Sequence, residues 1–304
     1  MATDPNTELS CRPRPASETV GCGRLLRRAP AKLNLALRVG GRRADGFHGV
    51  DSVVARVTLY DELTFRPRTD GQVRLECAGA DCGPARDNLV HRAATELASR
   101  TGGVDARLVK RVPPGSGLGG GSSDAAATLL ALDELLGLRL PAERMARMAA
   151  TWGSDVPLFL AGPTVRMRGR GERIDPVDMH PFWAVLVVPD LICPTADVYR
   201  AFDELAGDAP KTPPEPDVAR FALPPSRWGS ALANDLQPAA VRACPALGPE
   251  IDRLAAAAGR AVYLTGSGSA LFIPADDEPA AEAVAGTLPG DLRRRCRIVS
   301  LNPW

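Results

Sequence analysis

Residues 112–132, VPPGSGLGGGSSDAAATLLAL, put five glycines between Gly115 and Gly121 and then run straight into an alanine- and leucine-rich segment. No other feature of the chain restricts its fold as much, because glycine loses more conformational freedom on folding than any other residue. Such a run is kept where the backbone must turn through left-handed angles or approach another group with no Cβ between them. A glycine turn that opens a helix offers unpaired backbone N–H groups and the positive end of the helix dipole, which together suit a phosphate. Gly115, Gly117 and Gly120 also satisfy G-x-G-x-x-G, a pattern that alone does not separate one phosphate-binding fold from another.

Context separates them. A dinucleotide-binding unit needs a buried apolar strand before the loop and an acid some 20 residues beyond it, whereas here the strand is RLVKRV and the next acids, Asp133 and Glu134, lie within the helical stretch. A protein-kinase loop leads into a strand bearing V-A-I-K; this one leads into the helical pattern Ala125 to Leu136. A P-loop carries Lys after its last glycine, and Gly121 is followed by Ser122. A glycine turn with no ligand leaves five glycines in seven residues without a reason.

Elsewhere Leu33, Leu35, Leu37 and Val39 alternate with Lys32, Asn34, Ala36 and Arg38, the period of a half-buried strand, which sets Lys32 and Asn34 on one face. A loop follows at Gly40 to Gly49, then strand alternation through Val53, Ala55, Val57 and Leu59, with two further strands at Leu63/Phe65 and Val73/Leu75. Helices are expected from a cap at Asp87 to Gly102, from Ala125 to Leu136, from Pro141 to Trp152, and after a cap at Thr195. Asp155 heads a short loop, residues 164–177 read as a hairpin, and the proline-dense run 207–225 as loop or insertion. The last third alternates further helices and strands, with a glycine turn at Gly266 to Ser269. Strands and helices mix without a steady βαβ rhythm, so the expected fold class is α+β in two domains, residues 26–180 and 181–304, behind a disordered extension at 1–25.

Composition limits the partners. The chain has 304 residues, with 37 Lys and Arg against 36 Asp and Glu, so no overall field draws it to nucleic acid or to a membrane surface. It has no uninterrupted apolar stretch of about 18 residues and no apolar core of a signal peptide near its start, which points to a soluble, cytoplasmic protein. Seven cysteines without C-x-x-C spacing read as reduced structural thiols, and three scattered histidines make no transition-metal site. A hard cation bound through oxygen stays open.

The stretch PPGSGLGGGSSDAAA closely resembles the second motif of the GHMP kinases, in the triple-glycine form of the branch that acts on 4-diphosphocytidyl-2-C-methyl-D-erythritol. APAKLNLALRVGGRRADGFHGV resembles the first motif of that branch, and GSDVPLFLAG, ANDLQPAA and LTGSGSALF resemble later ones, in order from Ala29 to about Phe272. The resemblance implies a two-domain GHMP kinase fold, with an N-terminal ATP-binding domain of mixed sheet and helices and a C-terminal α/β-sandwich domain.

The same resemblance implies ATP as co-substrate, held by Pro113, Pro114, Gly115, Ser116, Gly117, Leu118, Gly119, Gly120, Gly121, Ser122 and Ser123, with Mg²⁺ expected and Ser123 its candidate ligand. It assigns Asp155 to the proton of the attacking hydroxyl, with orientation of that hydroxyl as the other role open to it, and Lys32 to the charge beside it. Asn34 is expected to orient Asp155 or touch substrate, His48 to hydrogen-bond a cytosine ring, and Phe47 to stack on it. Family sequences more often have Tyr at the Phe47 position, so stacking is kept here and a phenolic hydrogen bond lost. Gly266 and Ser267 belong to a turn expected to close over the substrate, while Lys110 and Arg111 are either phosphate ligands or exposed strand charges. The activity implied is phosphorylation of the 2-hydroxyl of that cytidine diphosphate-bearing alcohol for non-mevalonate isoprenoid synthesis. Another small alcohol, or a nucleotide-binding sensor without catalysis, are the alternatives; a monomer and a homodimer are equally compatible.

Overall fold

The computed structural model of the chain describes residues 18–20, 23–98, 101–207 and 212–302. Most of the expected N-terminal extension lies outside these residues, but its end is paired: β1 (Glu18–Val20) runs antiparallel to the start of β2 (Arg24–Arg42). A turn at 43–47 leads back along β3 (His48–Pro67), which is 20 residues long. Leu63 and Phe65 therefore continue the strand of Val53 instead of starting another, since no glycine, proline or asparagine breaks the stretch between them. β4 (Val73–Gly79), α1 (Leu89–Ala98), β5 (Val104–Lys110), α2 (Gly120–Leu135), α3 (Ala142–Trp152) and the hairpin β6 (Thr164–Gly169) and β7 (Arg173–Pro176) follow. Asn88 caps α1 by accepting from Val90 N at 2.9 Å, and Asp87, the expected cap, sits in the 3₁₀ turn before it.

The chain then builds a second sheet: β8 (Trp183–Val187), α4 (Thr195–Ala206), β9 (Ala233–Asn234), α5 (Gln237–Ala243), α6 (Leu247–Ala258), β10 (Tyr263–Leu264), β11 (Leu271–Ala275), α7 (Glu278–Thr287), α8 (Gly290–Arg294) and β12 (Cys296–Ser300). The first sheet has the order β1-β2-β3-β5-β4, with β6 and β7 added beside β3; the second has the antiparallel order β10-β11-β8-β12. β9 returns to the first sheet and pairs in parallel with β2. No helix among the described residues is long and apolar enough to cross a membrane, and the five cysteines described are all free thiols.

Alternation along β2 does set Lys32 and Asn34 on one face, but the strand is buried on both sides and not half-exposed. Leu33, Leu35, Val53 and Ala55 meet Leu186 and Phe272 of the second sheet in a core between the sheets. Leu63, Phe65 and Leu108 pack on the other side against Val90 and Ala94 of α1 and Leu129 and Leu132 of α2. Two helical layers thus enclose two sheets, and this double burial leaves the polar face of β2 no exit except the cleft described below.

The described part of the proline-rich run does structural work in this core. With the residues that follow, it passes through three short 3₁₀ turns and delivers Phe221, and Trp228 just beyond the run, both fully buried, to Phe182. Trp228 meets both phenyl rings edge-on at 5.2 Å, and its indole N–H donates to the Leu223 carbonyl at 2.7 Å. Trp228→Ala is expected to lower the unfolding free energy by about 3–5 kcal/mol, while Ile192→Ala, at a side chain 81% exposed, changes it by less than about 0.5 kcal/mol. Urea unfolding of the two variants measures the difference, and equal midpoints would remove Trp228 from the core that joins the sheets.

Candidate active site

The glycine run forms a loop between β5 and α2, and α2 starts at Gly120, earlier than its apolar pattern suggests, with Gly119 at a left-handed φ of 70° as its cap. The loop is wedged between the two sheets. Leu118 accepts from Lys32 N on β2 at 3.0 Å, and Ser116 accepts from Ala270 N of the second sheet at 3.0 Å. Gly117 lies between these contacts with φ 81°, and a Cβ on it would collide with the Thr265 carbonyl oxygen. A Cβ on Gly119 would press on the Lys32 side chain at 3.0 Å and on Phe159 at 3.1 Å. Two of the glycines are thus explained by close approach, and the N–H groups at the start of α2 are left facing a cleft of about 1000 Å³.

Lys32 and Asn34 reach that cleft from β2 and are 4% exposed. The Lys32 ammonium donates to Asn34 Oδ1, and Asn34 is fixed in turn: Nδ2 donates to Ser52 Oγ at 2.8 Å, and its backbone N–H to Thr265 Oγ1 at 2.9 Å. Burial pulls the Lys32 pKa below its ordinary value, and the negative charge of Asp155 opposes the shift. Asp155 lies in the turn after α3, just before the 3₁₀ turn Pro157–Leu160, and lines the same cleft. Its field also reaches Tyr199 on α4, whose phenol is pushed up to about 12 by burial first and by Asp155 second.

The 265–270 turn is held from below by Asn234, whose Nδ2 donates to the carbonyls of Leu264 at 2.8 Å and Gly266 at 2.9 Å. Gly266 and Ser267 both line the cleft. Ser267 Oγ lies 2.9 Å from Thr195 Oγ1, so Thr195 is spent on the turn, and α4 has no side-chain cap where one was expected. At the far end His48 stands with Nδ1 2.9 Å from the Gly40 carbonyl and Nε2 3.3 Å from Asp203 Oδ1, and its ring is 5.1 Å from that of Tyr199. Phe47 beside it is half exposed, with the Arg170 guanidinium 3.7 Å above its ring.

Every residue expected in the site lines this one cleft apart from Ser123. Because α2 already begins at Gly120, Ser122 faces the cleft and Ser123 is turned about 100° around the helix into the interior, where its buried Oγ has no hydrogen-bond partner. Lys110 takes neither of the two roles left open to it, phosphate ligand or exposed strand charge. Its ammonium is buried beneath the loop, 2.7 Å from Asp124 Oδ2 and bonded to Asp61, while Arg111 pairs with Glu62 at 3.0 Å. Asp61 also accepts from the N–H groups of Arg111 and Val112 at 2.5 and 2.8 Å, so one carboxylate holds the end of β5 and, through Lys110, the first turn of α2. Tyr199, Arg42, Arg170 and Asp203 line the cleft without having been singled out in sequence, and Thr195 lines it having been expected only as a helix cap. Only the apolar stripe of α4 and the basic composition of the two flanking turns signalled them.

The sequence profile described as GHMP kinases N terminal domain matches residues 88–163, and GHMP kinases C terminal matches residues 224–292. A 4-diphosphocytidyl-2-C-methyl-D-erythritol kinase of Moorella thermoacetica is 39% identical over 86% of this chain and 93% of its own length. One from Chromohalobacter salexigens is 42% identical over 84% of each chain. A crystal structure of 4-(cytidine 5'-diphospho)-2C-methyl-D-erythritol kinase superposes with a TM-score of 0.74 at 36% identity, covering 91% of this chain and 99% of that one.

The two carboxylates and one ammonium beneath the loop carry a pH signature. Burial pushes the Asp124 carboxyl up to about 7, against the pull of Lys110 and with the Asp61 charge reinforcing it. Burial lowers Lys110, but the Asp124 and Asp61 charges outweigh it and hold the ammonium above its ordinary value. Cys77 on β4, the other titratable neighbour, is pushed up to about 12 and stays neutral. An unfolded Asp releases its proton near about 4, and the folded chain keeps this one to higher pH, so stability falls as pH rises from about 4 to about 7. Asp124→Asn removes that titration. Its unfolding free energy is expected to vary less over this range than the parent's; parallel urea-derived curves for the two proteins would exclude Asp124 as the titrating group.

Proposed function

The chain belongs to the 4-diphosphocytidyl-2-C-methyl-D-erythritol kinases of the GHMP family, and we propose that its cleft carries out their reaction with Asp155 as the base and Lys32 as the charge beside it. The reaction moves the γ-phosphoryl group of ATP to the 2-hydroxyl of the cytidine diphosphate-bearing erythritol. The observation that supports this reading above others is a single cleft in which a helix-opening glycine loop, a desolvated Lys32 beside Asp155, and the aromatic and imidazole groups Phe47, His48 and Tyr199 all meet.

Phosphoryl transfer asks a protein for position and compensating charge more than for covalent chemistry. Backbone N–H groups of the 115–121 loop and the start of α2 receive the ATP phosphates, and the backbone bond from Lys32 N to the Leu118 carbonyl sets the height of that loop over β2. Asp155 accepts the hydroxyl proton, the hydroxyl oxygen bonds to the γ-phosphorus, and the bond from that phosphorus to the ADP oxygen breaks. Asn34 holds the Lys32 ammonium in place, so its positive charge is already aimed at the reacting oxygens before substrate arrives. Burial strengthens this effect, since the same charge acts through less water.

The oxygens available for Mg²⁺ are few. Among the described residues no cluster of three or more acidic, histidine or cysteine side chains is suited to a metal. Asp155 and Ser122 line the phosphate end of the cleft, a donor set that fits an ion brought in largely by ATP phosphates, as Mg²⁺ usually is. Bound there, Mg²⁺ neutralises phosphate charge. His48 and Phe47 face the nucleobase end, with Tyr199 packed against His48.

ADP release by the purified protein tests the reading. Turnover is expected with 4-diphosphocytidyl-2-C-methyl-D-erythritol and not with mevalonate or homoserine, and the reverse result would refute the substrate. Asp155→Asn is expected to keep ATP binding and to lower turnover roughly a hundredfold or more; a variant as active as the parent takes the base role from Asp155.

A further inference from the structure

A second buried cation stands beside Lys32. In the antiparallel register of β2 and β3, Lys32 lies directly opposite Arg56, so both side chains rise from the same face of the sheet. Arg56 is as buried as Lys32, at 4% exposure, yet it is not among the residues lining the cleft, which removes it as a phosphate ligand. Burial draws its pKa down to about 10, so it is still charged at neutral pH. Like charges facing each other across a strand pair repel, and a buried cation costs stability unless partners surround it. Among the described residues Arg56 forms no ion pair with a carboxylate.

Its donors go to backbone instead. Nη1 donates to the Phe159 carbonyl at 3.1 Å and Nη2 to the Ala161 carbonyl at 3.2 Å, while its own N–H donates to the Pro163 carbonyl at 2.8 Å. Phe159 and Ala161 close the 3₁₀ turn Pro157–Leu160, where the last carbonyls of a helical turn have no partner within the turn. One arginine thus holds the far end of the segment whose near end carries Asp155. Between the two ends the segment is braced by its own turns, with Val156 N donating to the Gly153 carbonyl and Phe159 N to the Val156 carbonyl, each at 3.2 Å. The Phe159 ring reaches the site as well, since a Cβ on Gly119 would meet its Cζ at 3.1 Å and Lys32 Cγ at 3.0 Å.

Asp155 has no such hold of its own. Among the described residues its carboxylate makes no hydrogen bond or ion pair, so its place is set by the backbone that carries it. On the kinase reading given above, we propose that Arg56 is a positioning residue for the reaction: its guanidinium fork, clamped on the Phe159 and Ala161 carbonyls, sets where the Asp155 carboxylate stands relative to Lys32 and the acceptor hydroxyl. A planar fork with fixed donors spans two carbonyls in one geometry, which the point charge of a lysine does not.

ADP release by full-length Arg56→Met and Arg56→Lys, each also made in the Asp155→Asn background, tests it, with urea unfolding alongside. Misplacing a reacting group by about 1 Å can cost on the order of a hundredfold, so Arg56→Met is expected to lower kcat roughly tenfold or more and to change the KM for ATP and for the cytidine diphosphate substrate by less than about twofold. Arg56→Lys is expected to recover part of that loss. In the Asp155→Asn background the loss is expected to vanish, because an arginine that acts through Asp155 has nothing left to position. An equal loss in both backgrounds would make Arg56 a brace of the fold alone and overturn the proposal, as would an unchanged kcat or a rise in KM in place of the fall in kcat. Where Arg56→Met does not fold, Arg56→Lys carries the comparison, and a chain that folds with neither substitution assigns Arg56 to the fold and overturns the proposal. The base reading fails separately: an Asp155→Asn chain as active as the parent removes that role whatever Arg56 does, and the proposal falls with it.

Discussion

Three residues of the glycine loop, Ser116 to Leu118, are pinned between the two sheets by backbone bonds to Ala270 on one side and Lys32 on the other. Gly117 has no space for a side chain there. The glycine loop is therefore not a flap on one sheet; its shape is defined by the gap that the second sheet leaves over β2. Everything else at the site is referred to that gap. Lys32 stands under Gly119, the 265–270 turn stands over Gly117, and Asn34 ties the two by bonding to Lys32 and Thr265 at once. A change in how the sheets pack would move the glycine loop and the lysine together.

The same junction explains which parts of the site could be read along the chain. Lys32 and Asn34 were legible because two residues two apart on a strand must share a face, whatever the strand packs on. The glycine loop was legible because so many glycines have few other uses. Ser123 stands one helical step away from the cleft-facing Ser122: the apolar pattern starts at Ala125, but the helix starts at Gly120, and each residue along it rotates a side chain by about 100°. Lys110 stood next to the loop in sequence and proved to be beneath it, bound to Asp61, a residue 49 positions earlier. No local pattern carries a pairing of that range.

Long-range placement also hid the His48 end of the cleft. Tyr199 and Thr195 sit on a helix whose apolar stripe reads as ordinary core, and only the arrival of α4 over the first sheet brings them to His48 and to the 265–270 turn. The proline-rich run read as a loop because prolines forbid regular helix and strand; they do not forbid burial. Phe221 occurs in it and Trp228 just after it, outside any regular helix or strand, yet they complete the core between the sheets. Periodicity detects elements, and here the filling of the inter-sheet space came from a segment that has none.

One line of buried polar groups among the described residues runs from Asp61, Lys110 and Asp124 under the loop to Lys32, Asn34, Ser52 and Thr265 beside it. Each such group costs stability unless its partners are in place, and the partners come from both sheets: Thr265 from the second, Asn34 and Ser52 from the first. Lys32 is the extreme case, with burial drawing its pKa down and Asp155 drawing it back. A lysine in water would be more comfortable, but it would also be screened and free to rotate. Holding it desolvated needs the apolar core between the sheets to do the opposing work, so the Lys32 charge is fixed only in a chain whose two sheets are already packed. The geometry of the cleft and the inter-sheet core are, on this account, one energetic unit.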